Sequence, residues 1–135
     1  MTAPETVVLV LPLPPAVLSP NRPCGSAGGR MKRAAAAKKL RRLAREAVEA
    51  ENIESSPWPF VTARATFYHK SDRRRDGANF NATLKAAIDG VVDAGLMPDD
   101  DHTHFTLLPP KFRRDSVSPR VEIEFSAEAY RPPPL

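Results

Sequence analysis

The sequence has one cysteine, Cys24, among 135 residues. A lone thiol excludes an intramolecular disulfide and a thiolate metal cluster. No apolar run approaches the ~18 residues of a membrane span. The start, MTAPETVVLVLPLPP, has no basic leader ahead of its short apolar run, which is a poor fit to a signal peptide. These absences predict a protein of the cytoplasm with no membrane partner. Acidic residues are missing from Arg30 to Arg45, where eight Lys or Arg stand without an Asp or Glu. Within a net charge of +4, that asymmetry predicts a surface for an anionic partner.

What is present fits one compact domain over residues 1–135, with a 41% hydrophobic share that supports a small core. Of the fifteen prolines, twelve cluster in four places, and they read as punctuation between elements. Glu5–Leu11 reads as a buried strand, and 13–29 as a Pro/Gly-rich loop. From about Arg30 to Glu51, Leu40, Leu43, Ala44 and Ala47 recur at helical spacing, with Lys38, Arg41, Arg42 and Arg45 on the opposite face. That face is either solvated or a contact for the DNA backbone. Val61–His69 alternates with period two and predicts a half-buried strand. Asn79–Asp93 predicts a second helix with the stripe Phe80, Leu84, Ile88 and Val91, stopped by Gly95. A strand around His104–Leu108, a basic connection and the alternating strand Val121–Ser126 follow, then a loose tail over 128–135. The order β–α–β–α–β–β predicts an α/β (α+β) domain, one small mixed sheet with two main helices packed on it.

The stretch from Ser71 to Asp101 carries the chemistry. Arg73, Arg74 and Arg75 suit phosphates; Asp76 and Asp99–Asp101 supply the oxygen ligands that Mg²⁺ prefers, with Mn²⁺ as an alternative. Their ends stand roughly 22 Å apart along a straight helix, so convergence requires the chain after Gly95 to fold back. The competing reading is a helix cap at Asp76 and an acidic turn at Asp99–Asp101. His102 and His104 lack a third ligand, Asp89 reads as an ion-pair partner of Lys85, and Trp58 as a core or dimer anchor.

The pattern Asp76, Asn79, Phe80, Lys85, Asp89, Ala94, Gly95, Asp99 and Asp100 resembles the signature region of the RusA-type Holliday-junction endonucleases of phages and prophages. Pro14, Pro15 and Ser19–Arg22 resemble that family's opening, and Lys111 with the VEIEF strand its last hairpin. The resemblance implies a homodimeric, Mg²⁺-dependent endonuclease that binds four-way DNA junctions and nicks two opposing strands. It implies Asp76 and Asp100 as metal ligands, with Asp99 the alternative, and Lys85 beside the scissile phosphate. Arg73–Arg75, the basic helix face and Lys111 would hold flanking DNA.

One position departs from the pattern. The family's second aspartate falls at Ala78, which has no ligand atom. An engineered knockout, a natural variant that binds without cutting, and substitution by Asp101 or Asp72 are the three readings. The alternative function is a non-catalytic DNA-binding protein of the same fold.

Overall fold

The computed structural model describes residues 5–20, 22 and 25–128. Cys24 and the tail from 129 onward, named above, lie outside the described residues. Strand β1 (Thr6–Leu11) leads through a 3-10 turn at Ala16–Leu18 to the long helix α1 (Ala27–Ala50). Strand β2 (Val61–His69), the short helix α2 (Gly77–Ala82) and helix α3 (Lys85–Asp93) follow. Strands β3 (Phe105–Leu107), β4 (Lys111–Arg114) and β5 (Arg120–Ala127) complete the chain. This is the predicted α/β domain with a mixed sheet. No helix among the described residues is long and apolar enough to cross a membrane.

The sheet is ordered β1–β5–β2–β3, with β4 also on β2. β2 is therefore the central strand, antiparallel to β5 on one side and parallel to β3 and β4 on the other. The period-two alternation does what it predicts. Val61, Ala63, Ala65 and Phe67 of β2 and Val121, Ile123 and Phe125 of β5 are buried under the helices. Each large side chain so buried contributes about 1.5–3 kcal/mol.

Four local readings are corrected. β1 is an outer strand rather than a fully buried one: Val7, Leu9 and Leu11 enter the core, while Val8 and Val10 are exposed. The basic connection after Pro110 contains strand β4, because Phe112 stacks on Phe67 and pulls Lys111–Arg114 onto β2. β4 and β5 form no hairpin, since they lie on opposite edges of β2. The third strand starts at Phe105, and 102–104 is turn.

The second helix is broken in two. Asp76 caps α2 by accepting from the N–H of Ala78 at 3.0 Å and of Asn79 at 3.3 Å. Thr83 Oγ1 donates to the Phe80 carbonyl, and the N–H groups of Thr83 and Leu84 donate three residues back. This tightening ends α2 at a point where its side chains are fastened to the sheet. Phe80 packs edge-on against Phe67, His69 and Phe112, and Asn81 Nδ2 donates to the Leu108 carbonyl at 3.0 Å. The predicted stripe survives, with Leu84, Ile88 and Val91 buried and Phe80 half-buried.

α3 packs on α1 at close range. A Cβ at Gly90 would lie 2.1 Å from the Arg41 carbonyl oxygen. The same crossing carries Arg41 bonded to both oxygens of Asp93.

Candidate nucleic-acid and metal site

Three features of the chain after α3 decide where the acidic triplet goes. Gly95 takes φ 86°, a left-handed value that suits a residue without Cβ. Its N–H donates to the Val92 carbonyl and that of Leu96 to the Val91 carbonyl, a Schellman stop. Leu96 and Met97 are then fully buried, and the Leu96 carbonyl accepts from Trp58 N–H at 2.7 Å. Anchored there, the chain turns back along α3. Asp100 meets Lys85, the first residue of that helix, in a direct ion pair across fifteen positions.

Lys85 also pairs with Asp89 at 3.1 Å, as the spacing of four predicts. Hydrogen bonds from Asp100 and Asp89 raise the lysine pKa, and the Lys85 ammonium holds the Asp100 carboxyl below its ordinary range. Lys85 remains largely exposed while Asp100 is partly covered. The ammonium is thus fixed in place yet open to a ligand.

The other acids have local duties. Asp99 accepts from the N–H of Asp100 at 2.7 Å. Asp101 accepts from the N–H and hydroxyl of Thr103, which lower its pKa. Asp72 lies 3.9 Å from Arg114. The structure thus contains both the cap at Asp76 and the acidic turn that the bland reading predicts. Among the described residues no hydrogen bond or ion pair links Asp76 with Lys85, Asp99 or Asp100. Nor do three or more carboxylate, imidazole or thiol groups gather there as a metal site. Ala78 is exposed on the first turn of α2, two residues after Asp76.

His104 Nδ1 lies 2.9 Å from the Pro59 carbonyl oxygen, a structural use of that nitrogen. Trp58 is buried in the core, its Nε1 donating to Ser55 Oγ at 2.9 Å.

The predicted DNA contacts divide into groups. Arg74, Arg75 and Asp76 line one open cleft. Arg73 and Arg74 are exposed, whereas Arg75 donates back to the carbonyls of Ser71 and Arg73 and so orders its own loop. Burial and the neighbouring Arg73 charge lower the Arg75 pKa. On α1, a groove of about 470 Å³ is lined by Lys38, Lys39, Arg41, Arg42 and Arg45. Its charge is partly compensated, contrary to the acid-free reading of 30–45. Arg41 pairs with Asp93, Arg42 with Glu46 at 4.0 Å and Arg45 with Glu49 at 3.2 Å. Lys38 and Lys39 carry no ion pair among the described residues. Lys111 aligns with Thr66 and, with Arg64, lines a pocket on the sheet face away from the helices.

Sequence reasoning missed His69, whose ring packs with Phe67, Phe80 and Phe112. Its Nδ1 is buried and has no hydrogen-bond partner among the described residues, and burial, then Arg75 and Arg73, lower its pKa. The parity of β2 could have flagged it: 61, 63, 65 and 67 point inward, and 69 continues that series. The pairing of Arg41 with Asp93 was also missed, because nothing local in sequence joins positions 52 apart.

No protein-family model matches the chain, and no curated protein matches it.

Proposed function

We propose that the chain is a RusA-type, structure-selective DNA endonuclease for four-way junctions, with its metal-dependent step weakened by Ala78. The observation that supports this best is the return of Asp100 to Lys85, the first residue of α3, which carries one acidic end back along the helix toward the other. The donor set also fits a hard divalent cation in kind. Asp76 uses Oδ1 for its cap, and Asp100 uses Oδ2 for Lys85, so each carboxylate has a second oxygen outside those bonds. Two carboxylates with phosphate oxygens and water are a usual Mg²⁺ environment.

Asp76 and Asp100, with Asp99 the alternative, would hold Mg²⁺ or Mn²⁺. The chemistry such an ion supplies when bound is activation of a water and neutralisation of phosphate charge. Lys85, oriented by Asp89 and Asp100, holds a phosphate oxygen and stabilises charge developing on it. Arg73 and Arg74 grip flanking backbone, and Lys38 and Lys39 extend that contact along α1.

A second reading, a junction-binding protein that does not cut, is favoured by Ala78 and by the lack of a three-ligand cluster among the described residues. Nicking of a synthetic four-way junction by the chain and by Ala78→Asp separates the two. The nuclease reading expects the restored form to cut in Mg²⁺, with a gain of about two to four decades in rate. Binding by both forms with cutting by neither would contradict it.

A further inference from the structure

The sheet ends at β1, whose outer edge has no strand beside it among the described residues. The N–H of Ala127 donates to the Glu5 carbonyl, which fixes the parity of the β1–β5 ladder. Val7, Leu9 and Leu11 direct their backbone groups to β5, and Thr6, Val8 and Val10 direct theirs away from the sheet. Among the described residues, no hydrogen bond outside the ladders involves these three. Edge strands are ordinarily protected by lysine, proline, a bulge or a covering element. TVVLVL has no charge, proline or glycine, and Val8 and Val10 are 45% and 58% exposed.

We propose that a second copy of the chain adds at this edge, β1 to β1 and antiparallel, on a two-fold axis through Val8. The segment's own geometry selects that partner. Only the register centred on Val8 uses all three outward residues of each copy: Val8 faces Val8, and Thr6 faces Val10 in both directions. Such a contact is isologous and closes as a dimer. It opposes no like charges, because Glu5 of one copy falls opposite Leu11 of the other. The exposed valines meet on the outer face of the joined sheet.

The symmetry has a consequence for the proposed function. A two-fold between antiparallel strands is normal to the sheet, so both helical layers lie on the same face. Both Lys85–Asp100 clusters and both α1 grooves then face one side of the dimer, as cutting two opposing strands of one junction requires. This deepens the homodimer of that reading, but the edge geometry stands without it, and the test uses no DNA.

Sedimentation of the full chain and of Val8→Lys, together with cysteine cross-linking, tests the interface. The expected results are a dimer for the parent and a monomer for Val8→Lys with unchanged circular dichroism. In a Cys24→Ser background, Val8→Cys forms a covalent dimer with a short bifunctional thiol reagent, since the directly opposed Cα atoms lie about 5.5 Å apart. The same substitution at Val117, an exposed position between β4 and β5, serves as the collision control and cross-links roughly tenfold more slowly. A monomeric parent, a dimer that survives Val8→Lys, or equal cross-linking at 8 and 117 would overturn the proposal. Failure of junction cutting with the cross-link intact would count against the nuclease reading alone.

Discussion

At the scale of single residues, Asp76 has a structural duty and a proposed chemical one, and two substitutions separate them. Asp76→Ala removes the acceptor for the N–H groups of Ala78 and Asn79 and lowers stability by about 1 kcal/mol. Asp76→Asn retains a good capping side chain, so thermal unfolding stays near the parent, while nicking in the Ala78→Asp background is lost. Lys85 makes the complementary case. It is two-thirds exposed, so Lys85→Met leaves unfolding within about 0.5 kcal/mol of the parent. In the Ala78→Asp background the same change lowers nicking by about a hundredfold or more. His69 gives stability its pH dependence. Its folded pKa lies below the ordinary 6.5, so the unfolded chain takes up the proton first as pH falls. Its contribution is full above about pH 6.5 and declines as pH drops toward the depressed value. Comparing thermal midpoints of the parent and His69→Phe across that range shows the slope removed in the variant.

At the scale of elements, the contact of α1 with α3 sets the position of Lys85. The close approach rests on Gly90, where a Cβ would strike backbone rather than a flexible side chain. Gly90→Ala must push the helices apart, with a loss of about 1–3 kcal/mol measured by denaturant titration. The sequence made β2 and β5 legible because their alternation is strict, and they bury the residues it selects. It also placed the Gly95 stop. It did not show the break between α2 and α3, which comes from Thr83, the ring cluster at Phe80 and the Asn81 bond to Leu108. Those partners are distant in sequence. β4 was hidden for the same reason, since Phe112 is drawn to the sheet by Phe67 and not by its basic neighbours. Within the candidate site, residue types and the Lys85–Asp89 pair were legible, and the fold-back that delivers Asp100 was only a requirement until Leu96 and Met97 were seen buried.

At the scale of the whole molecule, the helices and the acidic turn share one face of a sheet whose other face holds Arg64 and Lys111. DNA bound at the Lys85 side is therefore expected to depend on Arg74 and Lys38 and to be indifferent to Lys111→Ala. Filter binding over a salt series should show the dependence of affinity on salt reduced by the first two changes and unaltered by the third. The account stands or falls on Asp76 and Asp100 serving one cation from the two ends of α2–α3. Calorimetric titration of Mn²⁺ into the Ala78→Asp chain, alone and with Asp76→Asn or Asp100→Asn, measures that directly. The predicted result is a single site that either asparagine weakens by about tenfold or more. A site that survives both changes, or that only one of them affects, would contradict it.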